Sequence, residues 1–342
     1  MTIALDATYS DGDALSGVGL YSREILYGLA KAQPETRFDF YYRPHRFLRS
    51  RSTPLPKNVR RRLLLEPIGP RHADLFHGLN QRLPKLKLRR AVTTFHDLFV
   101  MTGEYSTPEF RARFTEQARD AAARSDAIVT VSAFTKSQVV GLLGVDAARV
   151  HVVHHGTRPL SFPKLEREPV VLNVGAIQKR KNIGRLVEAF EMLEPTWRLV
   201  LAGSCGFGSE EILARVEGSS ARARISVLGY VSPADLAAWY ARATIFAFPS
   251  LDEGFGMPLL EAMAAGTPIL TSNRSALPEV ASDAAVLVNP EDAGQIGAEL
   301  WRLANDSDLR KQLEQKGLAR ARLFTWEAAV RRTWQVYEEL LR

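Results

Sequence analysis

Glu253 and Glu261 stand eight positions apart in "SLDEGFGMPLLEAMAAGTP" (250–268), on either side of a Gly-Phe-Gly turn. Pro258 suits the first turn of a helix over "PLLEAMAAG", and the backbone N–H groups of such a turn, together with the helix dipole, form an anion site. A diphosphate fits there. Carboxylates repel phosphate but accept hydrogen bonds from hydroxyls. Glu253, in the loop, is therefore expected to face a neutral polyol. Glu261, on the first helical turn, is expected to take both hydroxyls of a vicinal diol such as a ribose. The pattern fits a ligand with two hydroxyl-rich ends and an anionic middle. Taken alone, the same residues also read as a solvated loop acid and an acid that favours a helix N-terminus.

Other candidates follow apolar runs in the same way. "QKRKN" (178–182) comes after "VVLNVG", and its cations could meet phosphates or form a basic surface. "SGVG" (16–19) follows the first apolar run, where small residues let backbone approach a ligand; a tight turn with no ligand is the other reading. It is not G-x-G-x-x-G, and the chain has no Walker A pattern, so nicotinamide and ATP readings lose support. His96 and Asp97 follow "AVTTF"; hydrogen bonding to a sugar is one role for the imidazole, with Asp97 as a group that could orient it. Asp-Gly-Asp (11–13) and Asp-Ser-Asp (306–308) match D-x-D, but neither follows an expected strand, and no metal is expected.

The elements that must position these residues alternate between short apolar strands and helices, the pattern of parallel sheets. In the first half, strands are expected over 2–8, 37–42, 74–78, 91–97, 127–132 and 150–156, with helices over 17–32, 107–125 and 133–144. A proline-containing stretch, "TRPLSFPKLEREP" (157–169), reads as an interdomain linker. The second half begins afresh with strands over 170–177, 198–204, 224–231, 244–250, 268–272 and 285–289. The fold class is α/β, two doubly wound domains facing a cleft. In such sheets ligands sit beyond the carboxyl ends of the strands, which is where each candidate falls.

Composition narrows the partners. The 342 residues carry a net charge of +7, all of it in the first half. Residues 1–157 hold 23 Lys+Arg against 15 Asp+Glu, or +8, and residues 158–342 hold 22 against 23, or −1. "RPHRFLRSRSTPLPKNVRRR" (43–62) has eight basic residues and no acid, so it is either a solvated loop or a segment drawn to phosphates, as at an anionic membrane surface. No stretch approaches the roughly 18–20 apolar residues of a membrane span, and the N-terminus has no signal-peptide pattern. With Cys205 as the single cysteine, a reducing, cytoplasmic location is expected.

"EGFGMPLLE" resembles the E-x7-E motif of the retaining family 4 (group 1) glycosyltransferases, which have the two-Rossmann GT-B fold. The resemblance runs along the whole chain in order: "SGVGLYSREI" (16–25), "FHDL" (95–98), "VSAFTKSQV" (131–139), "HHG" (154–156), "VGAIQKRKNI" (174–183), "LAGS" (201–204) and "LGYVS" (228–232). It implies an N-terminal acceptor domain over 1–157, a nucleotide-sugar domain over 158–324, and a last helix near 325–342 that returns to the first. It also implies Glu253, His96, Lys181 and Arg180 as catalytic residues. The implied donor site comprises Gly17, Gly19, Glu261, Phe255, Gly256, Met257, Pro258, Gly203, Tyr230 and Val231, with Asp97 and Val18 toward the acceptor. The chain departs from the family at Ala176, where many members have arginine; Arg180 is the residue that could supply that charge.

The "QKRKN" form resembles members that use GDP-mannose, with a growing lipid-diphosphate-linked glycan of a surface polysaccharide as acceptor. No cofactor is expected beyond this co-substrate. The competing reading is a sensor or scaffold that binds a nucleotide sugar without turning it over. A nucleic-acid binder using 43–62 is disfavoured, because no recognition motif is present and the second half is slightly acidic.

Overall fold

The computed structural model describes every residue except 13, 14 and 67. Asp13, the second acid of Asp-Gly-Asp, lies outside the described residues. The chain divides into two compact units: Met1–Thr102 with Pro108–Gly156 and Thr325–Arg342, and Gly103–Thr107 with Thr157–Phe324.

The first unit holds a parallel sheet of β1 (Thr2–Asp6), β2 (Arg37–Tyr42), β3 (Val59–Leu63), β4 (Leu75–Gly78), β5 (Ala91–Phe95), β6 (Ala127–Thr130) and β7 (Val150–Val152), in the order β3-β2-β1-β4-β5-β6-β7. Strands β4, β5 and β6 are buried throughout, as expected of strands covered on both faces. The order reverses between β1 and β4, and β1 feeds the helix Gly17–Ala32, N-capped by Ser16. That helix packs on the chain's last helix, Trp326–Leu341. A Cβ on Gly28 would stand 2.4 Å from the Val330 Cγ2, so only glycine permits the approach.

The segment 43–62 is not a continuous loop. It forms the helix Pro44–Ser50 and the edge strand β3. Three consecutive arginines, Arg60–Arg62, hide the alternation by which a strand is read from sequence. One of them, Arg62, reaches back to buried Asp39, with its Nε 3.4 Å from the carboxylate.

The second unit holds β8 (Glu168–Val174), β9 (Arg198–Ala202), β10 (Ile225–Gly229), β11 (Ala243–Phe248), β12 (Ile269–Ser272) and β13 (Val286–Val288), all parallel, in the order β10-β9-β8-β11-β12-β13. This is the Rossmann order, and its switch point lies between β8 and β11. The loops leaving β8, β9 and β10 remain bonded beyond the strands: Gly175 N–H donates to Ala202 O, Ile177 N–H to Ser204 O and Gly203 N–H to Gly229 O.

That seam demands glycine at 203. Its φ is +155°, and a Cβ would fall 1.9 Å from the Gly175 carbonyl oxygen. Gly203→Ala is therefore expected to cost on the order of 3 kcal/mol or more. Thermal unfolding of the variant checks this: an unchanged midpoint would mean the seam is not needed.

Candidate active site

The switch point of the second unit gathers three charges. Past β8 the chain makes a short turn, Lys179–Lys181, closed by Asn182 in the left-handed conformation at φ 58°. Asn182 is held there because its side-chain amide donates to Pro249 O (3.0 Å) and Pro290 O (2.6 Å). Past β11, Leu251 N–H donates to Arg180 O and Glu253 N–H to the Ser275 hydroxyl. The two loops are thus fixed against each other by one backbone bond and by the Asn182 amide, apart from the charged side chains.

Lys181 Nζ then lies 2.5 Å from Glu253 Oε1, and Arg180 Nη1 lies 2.8 Å from Oε2 and 2.5 Å from Asp252 O. All three side chains are buried. The Lys181 ammonium also sits over the Phe248 ring, 4.5 Å from its centroid. Glu253 is not the unpaired loop acid that the sequence predicts: both its oxygens meet cations. Burial alone would raise its pKa, but Arg180 and Lys181 outweigh that and hold it at about 2. Two buried cations thus converge on one carboxylate, beside the buried Asp252.

The turn after Glu253 is built for close approach. Gly256 has φ +97° and caps the helix Met257–Ala264. Pro258 has no N–H, and Leu259 N–H is used by Gly256 O, which leaves Gly256 and Met257 as the donors this turn can offer. Phe255 contributes packing: its ring is buried 5.9 Å from that of Phe324.

Glu261 is the helix's fifth residue and lies on its second turn, not its first. It is 2% exposed, with Oε2 accepting from the Tyr240 hydroxyl at 2.8 Å and Oε1 2.9 Å from Arg158 Nε. Both carboxylate oxygens are occupied. Sequence reasoning missed these partners, since Arg158 falls in the apparent linker and Tyr240 inside an amphipathic helix. Tyr230 is 62% exposed beside half-buried Val231, following Gly229 at φ +67°.

In the first unit, His96 follows β5 and is buried with Tyr21 and His155: its ring meets Tyr21 edge-on at 4.7 Å and stacks on His155 at 5.5 Å. Its Nε2–H donates to the Leu79 carbonyl at 3.0 Å, so Nδ1 is the acceptor nitrogen. The Leu79 carbonyl thus takes the orienting role that the sequence reading gave to half-buried Asp97. Burial lowers the His96 pKa to about 4 and keeps the ring neutral.

Behind it runs a second network that sequence reasoning missed. His77 Nδ1 pairs with the Tyr337 hydroxyl (2.5 Å) and its Nε2 with Thr94 Oγ1 (2.8 Å), which also meets the Tyr21 hydroxyl. Gly17 is exposed and Val18 half-buried at the start of their helix. The Gly19 N–H donates to Ser16 Oγ, so it serves the helix cap. Among the described residues no cluster of three or more metal-ligating side chains occurs, and no helix is long and apolar enough to cross a membrane.

Comparison with known proteins shows the family and the fold. The family "Glycosyl transferases group 1" matches residues 159–320, and "Glycosyltransferase Family 4" matches 23–159. O-antigen chain mannosyltransferase B of Escherichia coli is 34% identical over 78% of this chain and 74% of that protein. D-inositol 3-phosphate glycosyltransferase of a Nocardioides strain is 31% identical over 82% and 70%. Two solved structures share the architecture. Sucrose-phosphate synthase of Thermosynechococcus elongatus has TM-score 0.79 and 23% identity, covering 99% of this chain and 98% of that one. Anabaena HepE with UDP and glucose has TM-score 0.74 and 16% identity at the same coverage.

Proposed function

The chain belongs to the group 1 (family 4) glycosyltransferases, with the GT-B pair of Rossmann-like domains, and from that premise we propose that it transfers mannose from GDP-mannose, with retention, to a growing lipid-linked glycan. The observation that carries the reading is the pair of buried cations at the switch point: Lys181 and Arg180 converge on Glu253 beside a helix start that offers further N–H donors. The charge of a departing nucleoside diphosphate would be met by these groups. Preorganised donors of this kind can each lower a barrier by about 3 kcal/mol. Because Lys181 and Arg180 are locked by Glu253 before the donor arrives, little reorganisation accompanies the reaction.

Glu253 would accept hydrogen bonds from sugar hydroxyls on the lone pairs its cations leave. Held at a pKa of about 2 by two cations, it is a poor nucleophile. This supports the same-face path, in which the leaving phosphate takes the acceptor's proton, over a covalent glycosyl-enzyme. Arg180 supplies the charge that Ala176 cannot. Glu261 would read the ribose, Tyr230 and Val231 would border the base, and Gly203 would border the donor. His96 Nδ1 would accept from a sugar hydroxyl, with the turn at Gly17–Gly19 and Asp97 on the acceptor side. No cofactor is proposed.

The mannosyl donor is favoured by the mannosyltransferase named among the relatives. A lipid-linked acceptor agrees with the helix Pro44–Ser50, where Leu48 is 71% exposed between Arg46 and Arg49, a pairing suited to an anionic membrane surface.

The test is incubation with UDP-, GDP- and other activated sugars, without added metal, following nucleoside diphosphate release, with Glu253→Ala as control. Release from GDP-mannose that is lost in the variant is the expected result. Release only from a UDP-sugar would overturn the donor assignment. Binding without release, even with lipid extracts as acceptor, would favour a sensor; no binding to any donor would remove the glycosyltransferase reading.

A further inference from the structure

Glu261 is enclosed by two partners of unequal permanence. Tyr240 is fully buried, its ring 5.6 Å from Phe246 and 6.5 Å from Phe162, inside the helix Pro233–Arg242. Its hydroxyl cannot withdraw without unpacking the core. Arg158 lies in residues 157–167, which form no helix or strand, and its side chain is 25% exposed. Its Nε stands 2.9 Å from Glu261 Oε1 yet has no well-directed hydrogen bond. The contact is an ion pair held by charge more than by geometry.

We infer that Arg158 stands in for the nucleotide's ribose: it holds the Glu261 carboxylate in the donor-free protein and is displaced when a diol takes its place. The inference rests on the reading of Glu261 as the ribose acceptor. A guanidinium and a vicinal diol are alternative donors to the same carboxylate, and the 2% exposure of Glu261 leaves no room for both without movement. A carboxylate buried this deeply needs a charge partner while it waits; burial already pushes the Glu261 pKa up, and Arg158 opposes that. When the diol arrives, Tyr240 keeps Oε2 in place and the arginine, whose side chain is already one-quarter exposed, swings toward water. Nucleotide affinity is thus reduced by the fraction of molecules in which Arg158 occupies the carboxylate.

The experiment measures dissociation constants by calorimetry for GDP and UDP, each against its 2′,3′-dideoxy analogue, on wild type, Arg158→Ala, Arg158→Lys and Glu261→Gln. Arg158→Ala is expected to tighten the ribonucleotide by roughly tenfold and leave the dideoxy analogue unchanged. Its donor-free melting temperature should fall, and nucleotide should restore more of it than in wild type. Arg158→Lys should lie between, and it carries the test if the alanine variant does not fold.

Suppose wild type discriminates ribose from dideoxyribose, Glu261→Gln abolishes the discrimination, and Arg158→Ala binds the ribonucleotide no more tightly. Arg158 is then a permanent partner: the inference falls while the ribose reading stands. No discrimination in wild type would instead sink the ribose reading, and the displacement with it. Failure of wild type to bind either nucleotide would overturn the proposed function.

Discussion

Lys181→Ala is expected to lower kcat by roughly 10²–10³-fold, the usual cost of one preorganised donor aimed at developing charge. The amine is a buried group 2.5 Å from Glu253 and 4.5 Å from the Phe248 ring centroid, so its loss acts in two ways. One of the two buried cations is lost, and the diphosphate leaves less readily. Glu253 keeps only Arg180, so its pKa rises from about 2 and an acid limb enters the measurable pH–rate profile. Removing one partner of a buried ion pair also costs stability, about 3 kcal/mol.

Steady-state kinetics across pH, with thermal unfolding in parallel, separates these effects. A variant that melts early yet keeps the wild-type kcat would make Lys181 a structural partner of Glu253 and nothing more. Lys181→Arg restores charge without the compact ammonium geometry and should recover stability more than rate.

The second large effect is acid sensitivity in the first unit. His77 and His96 are fully enclosed and neutral, with pKa values lowered by burial to about 3 and about 4; burial also lowers that of His155. The reason they cannot accept a proton is visible in the bonding. Both His77 ring nitrogens already meet hydroxyls, Tyr337 at Nδ1 and Thr94 at Nε2, and the ring is fully buried, so an added proton would be a charge held away from water.

Above pH 6.5 folded and unfolded chains are both neutral at these rings, and nothing is lost. As pH falls through 6.5 the unfolded chain takes up protons that the folded chain refuses, and stability declines until the folded values are reached. At pH 5 the loss is about 2 kcal/mol for each of His77 and His96, with His155 adding in the same direction. The ion-paired Glu253 contributes only below about pH 4.5, and Glu261, whose pKa burial raises, gains stability as pH falls, so a net loss between 6.5 and 4.5 comes from the histidines. Denaturant unfolding at pH 7.5 and 5.0 reads the difference, and a stability unchanged between them would show that these rings are protonated or solvated in the folded protein.

The sequence by itself determined which residue types stand at the carboxyl ends of which strands. Apolar runs bounded by small and polar residues identify β1, β5, β8 and β11, because a strand buried on both faces must be continuously apolar. Gly256, Pro258 and the glutamates on either side then follow by position in the chain. The edge strand β3 was hidden because an edge tolerates Arg60–Arg62, whose long side chains reach solvent and so blur the pattern.

What only the tertiary structure decided is partnership. Glu253 reads from sequence as a free acid, yet its charge is set by Lys181 and Arg180, some seventy residues away, brought to it by the crossing from β8 to β11. Arg158 and Tyr240 carry no local signature of their meeting with Glu261, nor does His77 of its meeting with Tyr337, 260 residues on. Periodicity reports only whether a side chain faces the core or water. Which polar groups share a low-dielectric pocket depends on chain topology, and there a few ångströms separate an exposed acid from a clamped one.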